Sequence, residues 1–145
     1  EPLSGWRDVS VRPQRTKVDW SLEMEELLRT RYAKAKKVLL VCDNLNTHTK
    51  GAFYEVFPPE QARKIMEKIE FHYTPKHGSW LNVAENELSS MTRQCLKDRK
   101  MINIEMLKKE TSAWATNSNE KQRGVNWQFK VEDARCKLRS LYPNI

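Results

Sequence analysis

The chain has 145 residues, 39% hydrophobic and 31% charged, the mixture of one globular domain rather than of a disordered or fibrous chain. Its longest apolar run, Val38 to Cys42, is far short of the roughly 20 residues that cross a bilayer. The net charge of +7 is unevenly placed, because residues 1–88 carry 14 Lys/Arg against 13 Asp/Glu whereas residues 89–145 carry 12 against 6. The basic part points to a polyanion partner, nucleic acid first, with a lysine-rich solvated helical surface as the ordinary alternative. No charged-then-apolar N-terminal stretch reads as a signal peptide, so no secretion is expected. The isolated Cys42, Cys95 and Cys136 suit a reducing cytoplasm better than a disulfide framework.

In chain order, Val9 and Val11 alternate within residues 6–17 and predict a strand, with Pro13 demoting its later part to an edge or turn. Trp20, Met24, Leu27, Leu28 and Tyr32 repeat at helical spacing over 20–35, with Asp19 or Ser21 as cap. Residues 38–42 are a short, valine-flanked apolar run, hence a buried strand ending at Asp43. An Asn/Thr-rich loop closes at Gly51. Pro58 and Pro59 then start a helix whose apolar face is Ala62, Ile65, Met66 and Ile69. Phe71 and Tyr73 alternate with His72 in a strand ended by Pro75, and the turn 76–79 leads into a long helix from about Leu81 to Leu96. Helical segments at about 104–117 and 131–141 follow, separated by a turn at Gly124 and the aromatic pair Trp127 and Phe129. Strand–helix alternation followed by helices predicts an α/β sheet with helical cover and a helical C-terminal extension.

Asp43 directly follows a buried strand, and ligands of open α/β sheets gather at the carboxyl ends of strands. The ordinary alternative is an aspartate that only closes a turn. Glu85 lies one turn into the long helix and borders its expected buried stripe of Leu81, Ala84, Leu88, Met91 and Cys95, on the face carrying Asn82 and Ser89. Acids are favoured in first turns anyway, and Glu87 competes on spacing alone. Two such carboxylates meeting in space make an oxygen site for a hard cation such as Mg²⁺, able to act on a phosphodiester while Lys and Arg bind the backbone. The run Arg93, Lys97, Arg99 and Lys100 continues the Glu85 helix and is the candidate DNA-backbone contact; the alternative is a solvated helix end. His72, His77, Cys42 and Cys95 lack zinc-site spacing. Trp114, Trp127 and Phe129 suit core packing better than base stacking.

The segment Val41-Cys42-Asp43-Asn44-Leu45-Asn46-Thr47-His48 resembles the second-aspartate motif of mariner-superfamily transposases in their bacterial insertion-sequence branch. The stretch Tyr73-Thr74-Pro75-Lys76-His77-Gly78-Ser79-Trp80-Leu81-Asn82-Val83-Ala84-Glu85 resembles that group's third-acid motif. Arg15-Thr16-Lys17-Val18-Asp19-Trp20, Glu132 to Arg135, and Leu141-Tyr142-Pro143 look like the same group. The resemblance implies a ribonuclease-H-like catalytic domain of the Asp-Asp-Glu/Asp type over residues 1–145. Its expected chemistry is hydrolysis and strand transfer of DNA at transposon ends with Mg²⁺ or Mn²⁺. Asp43 is then the second acid and Glu85 the third, both metal ligands, while Asn44, Asn46, His48, Trp80 and Asn82 organise the loop and helix around them. DNA, transposon end and target, is the implied partner, in a bacterial cytoplasm and associated with the nucleoid; no membrane partner is expected.

The family's first catalytic aspartate belongs to a strand upstream of the segment that matches Glu1 to Trp6, and neither Asp8 nor Asp19 sits at its position. The sequence is therefore expected to be the C-terminal portion of the catalytic domain, without the first strand and the N-terminal DNA-binding region. A vacant strand position leaves a sheet edge or gap through which a homodimer is expected to form. The alternative function is a non-catalytic DNA-binding or interaction remnant that keeps the basic helical end.

Overall fold

The structure, a computed structural model, describes residues 1–75 and 78–139. Helices and strands are mixed, and the chain divides into two compact units: residues 8–115, and residues 1–7 together with the chain from Thr116 onward.

In the larger unit, residues 8–16 carry no strand. The two alternating valines meet no partner strand there, and alternation without a pairing edge leaves backbone groups to solvent and side chains. The first helix, α1 (Lys17–Arg29), starts earlier than the pattern suggested. Thr16 is its cap: the Thr16 hydroxyl accepts from Asp19 N at 3.2 Å, and Thr16 N donates to Asp19 Oδ2 at 2.9 Å. This is a reciprocal capping box, so Asp19 is the third helical residue rather than the cap. Ser21, the other expected cap, is fully buried.

Strand β1 (Val38–Cys42) and strand β2 (Ile69–Tyr73) pair in parallel, Val38 with Ile69 through Cys42 with Tyr73. Between them run α2 (Ala52–Val56) and α3 (Pro59–Lys68). The short α2 has no counterpart in the expected elements. Ile69, read as the end of the α3 face, is instead the first residue of β2 and stays buried. Leu28, Phe53, Ala62, Ile65 and Ile69 form the core, with Trp20, Met24, Val38, Leu40 and Phe71 packed against it. Helices cover one face of the sheet; on the other, Leu39 and Val41 are 67% and 55% exposed, so β1 is buried on one side only.

The expected helix 81–96 is three pieces: a 3₁₀ turn Ser79–Leu81, α4 (Val83–Met91) and a π-helical turn Thr92–Leu96. Asn82 interrupts the first junction because its Oδ1 accepts from Ala84 N at 3.1 Å and starts a new helix. The π turn closes with Lys97 N donating to Thr92 O at 2.7 Å. Of the expected stripe only Met91 and Cys95 are buried; Ala84 and Leu88 are exposed. The reason is that the partner, α5 (Ile104–Glu120), supplies Trp114 and Ala115 only to the Met91–Cys95 end. Trp114 Nε1 donates to Gln94 Oε1 at 2.9 Å, which satisfies its polar atom in that core.

In the smaller unit, Asn119 holds the N-terminal segment by both sides of Arg7: Arg7 N donates to Asn119 Oδ1 at 2.9 Å and Asn119 Nδ2 donates to Arg7 O at 2.8 Å. Gly5 takes φ +73°, and a Cβ there would lie 2.6 Å from the backbone of Gln122, so only glycine fits. The last described helix is α6 (Val131–Leu138), shorter than the expected 131–141, whose final residues lie outside the described ones.

Candidate functional site

The two strands are parallel, so their carboxyl ends lie side by side, and Asp43 and Thr74 are the first residues beyond them. Thr74 N donates to Cys42 O at 2.9 Å, which extends the ladder by one bond. Asn44 Nδ2 donates to Thr74 O at 2.5 Å and ties the loop after β1 to the loop after β2. Asp43 is half-buried. Its Oδ1 lies 2.6 Å from His48 Nδ1 and receives a longer contact, 3.4 Å, from Leu45 N. An ionised carboxylate only accepts, so Nδ1 carries the proton in this pair. Asp43 Oδ2 makes no hydrogen bond among the described residues. The turn-closing alternative is therefore realised at one oxygen only.

His48 sits in a turn that closes with its own N–H on Leu45 O at 2.9 Å. Tyr73, the last residue of β2, donates its hydroxyl to His48 O at 3.0 Å. The Trp20 ring lies 5.5 Å from the imidazole, centroid to centroid, tilted by 33°. Burial pushes the Tyr73 hydroxyl above the usual phenol range. Cys42, buried behind Asp43, is pushed up to about 11 by burial and then by the neighbouring carboxylate. It stays a thiol at neutral pH.

Glu85 is exposed in the first turn of α4. Its spacing from Asn82 is that of a capping box, but only Asn82 caps; the Glu85 carboxylate makes no hydrogen bond among the described residues. Asn82 thus has a structural task, fixing where the Glu85 helix begins. Trp80 is half-buried in the 3₁₀ turn ahead of it, and Asn46 is exposed in the turn before His48. Asp43 and Glu85 share no hydrogen-bond partner among the described residues.

The four basic residues after α4 differ. Arg99 Nη1 pairs with Glu110 Oε2 at 2.7 Å and reaches Cys95 O at 3.3 Å, so it staples the π turn to α5. Glu110 also raises the Arg99 pKa through that hydrogen bond. Arg93 donates to Ser89 Oγ at 2.9 Å on its own helix. The exposed side chains of Lys97 and Lys100 make no hydrogen bond or ion pair among the described residues.

Asp43 Oδ2 and the Glu85 carboxylate are hard oxygen donors of the kind Mg²⁺ takes. No group of three or more His, Cys, Asp or Glu able to hold a metal occurs among the described residues. A groove of about 450 Å³ takes in Arg12, Thr16, Trp20, His48, Leu88 and Leu96 but neither acid, so it meets the site through Trp20 and His48. Trp20 and Tyr73 are the site residues that motif reading missed. Their only sequence signal is their place in the segments around Arg15 to Trp20 and Tyr73 to Glu85, on which the sequence resemblance rests.

No helix of the described residues is long and apolar enough to cross a membrane. Comparison with curated proteins gave no match, and comparison with solved structures gave none either. The family model described as DDE superfamily endonuclease matches residues 4–108, which takes in Asp43, Asn44, His48, Asn82 and Glu85. The chain belongs to the DDE superfamily endonucleases.

Proposed function

We propose that residues 1–145 are part of the catalytic domain of a DNA transposase of the mariner superfamily, bacterial insertion-sequence branch, built on a ribonuclease-H-like framework. Its reaction is hydrolysis and strand transfer of phosphodiesters at transposon ends. The observation that carries this reading is Asp43 at the carboxyl end of a parallel strand, one oxygen held by His48 at 2.6 Å and the other open, inside the matched family region. Asp43 and Glu85 are the acids that bind Mg²⁺ or Mn²⁺. When bound, such an ion supplies Lewis-acid stabilisation of charge at the reacting phosphate. Asn44 fixes the Asp43 loop through Thr74, and Asn82 sets the start of the Glu85 helix. Lys97, Lys100 and Arg93 face the DNA backbone in this reading. Asp19 takes no part in the site, because its carboxylate is spent on the Thr16 capping box.

The test is nicking of supercoiled plasmid with Mg²⁺ or Mn²⁺, run beside Asp43→Ala and Glu85→Ala. Any metal-dependent nicking by the wild type is expected to disappear in both variants. Nicking that persists in both overturns the assignment of the acids. A folded wild-type chain that binds DNA in a salt-sensitive way without nicking it is a non-catalytic DNA-binding remnant instead.

A further inference from the structure

Trp20, Tyr73 and His48 form a connected set beside Asp43, in which the resemblance gives His48 a supporting place but leaves Trp20 and Tyr73 without a task. Trp20 is anchored in the core, its ring 5.0 Å from Phe53 and 6.2 Å from Phe71. Tyr73 stacks on Phe71 at 5.8 Å and 21°. From these two fixed points the structure grips His48 twice: Trp20 packs against the ring, and the Tyr73 hydroxyl holds the backbone carbonyl. The imidazole so held has a single polar contact among the described residues, Nδ1 to Asp43 Oδ1 at 2.6 Å, at the short end for a charge-assisted hydrogen bond.

A carboxylate on a loop rotates about two side-chain torsions, and each metal-competent arrangement is one of several. A short hydrogen bond to one oxygen from a ring that is itself packed and tethered favours one of them. Ligating carboxylates are commonly held in this way, and losing the outer partner weakens metal affinity by about 10–100-fold. We propose that His48 is a positioning residue for Asp43, with Trp20 and Tyr73 as the clamp that keeps the Nδ1–H of His48 on Asp43 Oδ1 and leaves Oδ2 for the cation. This explains why an aromatic at position 20 and a hydroxyl at position 73 accompany the acid motif although neither reaches the acids. It rests on Asp43 being a metal ligand.

The probe is Mn²⁺ alone, its binding to the full chain read from the free-ion electron paramagnetic resonance signal, with circular dichroism confirming the fold of each variant. Asp43→Asn should lose at least about tenfold in affinity, and His48→Ala about 10–100-fold. His48→Asn carries an amide N–H near the position of Nδ1 and should recover most of that loss; Tyr73→Phe should lose a few-fold. In the metal-free wild type, imidazole ¹⁵N shifts should show a proton on Nδ1. If the wild type binds no Mn²⁺, or Asp43→Asn binds as well as wild type, the reading of Asp43 as a ligand fails and the clamp falls with it. If Asp43→Asn loses binding while His48→Ala does not, or the Ala and Asn variants lose it equally, the ligand stands and the clamp is wrong. An unprotonated Nδ1 overturns the clamp even where a variant fails to fold.

Discussion

Thr16 and Asp19 each satisfy the other's backbone, and the hydroxyl of Thr16 also donates to Asp19 Oδ2 at 2.5 Å. These hydrogen bonds from Thr16 hold the Asp19 carboxyl below its ordinary value of 3.8, and the nearby Arg12 adds to the effect. A depressed carboxylate contributes stability that is fully present above its unfolded pKa and is lost as pH falls through its folded one. Urea denaturation of wild type against Asp19→Asn should therefore show a constant gap above about pH 5 that closes below pH 3.8, as the carboxylate protonates. A gap that widens in acid would mean that Asp19 stabilises the helix in its protonated form. The same carboxylate reads from sequence as a cap, and the error is instructive. An acid three residues after a threonine is the second half of a capping box, and only the pair, read together, shows where α1 begins. At the site the division is similar. Asp43 and His48 are five residues apart and legible as one motif, whereas Trp20 and Tyr73 reach His48 across 28 and 25 residues through packing that no local pattern encodes.

Among the elements, α2 carries more of the core than its five residues suggest. Phe53 is completely buried, touches the Trp20 ring and belongs to the cluster formed with Leu28, Ala62, Ile65 and Ile69. Removing a buried aromatic loses its transfer free energy and leaves a cavity, so Phe53→Ala should cost about 3–5 kcal/mol. That is a large part of the 5–15 kcal/mol that typically holds a domain together. The urea midpoint should fall accordingly with the slope unchanged; a shift of under about 1 kcal/mol would mean that the site collapses around the smaller side chain. Sequence periodicity finds α3 because ten residues repeat an apolar face, but α2 offers barely more than one turn beside an Asn/Thr-rich loop. The strand expected at 6–17 fails for a related reason: alternation predicts a face, and a strand also needs a neighbour. Leu88 shows the limit at helix scale. It lies at the right spacing, yet α5 contributes its large side chain opposite Cys95, one to two turns further along.

For the molecule as a whole, 12 Lys/Arg against 6 Asp/Glu over residues 89–145 set the expectation for DNA, but formal charge and available charge differ. Each cation that neutralises a phosphate releases counterions, and log Kobs falls against log salt with a slope of about −0.9 per contact on duplex DNA. Arg99 already spends its charge on Glu110 at 2.7 Å, whereas Lys97 and Lys100 have no such partner among the described residues. Filter binding or fluorescence anisotropy across a salt series should therefore show the slope reduced by about one for each of Lys97→Ala and Lys100→Ala. Arg99→Ala should leave the slope unchanged and lower the thermal midpoint instead, because it frees the Glu110 carboxylate and unties the π turn from α5. A full unit of slope lost with Arg99→Ala would show that DNA takes the guanidinium from Glu110 on binding. Slopes unmoved by either lysine would remove this helix end from the DNA path and leave the excess charge of the C-terminal part to be explained by other residues.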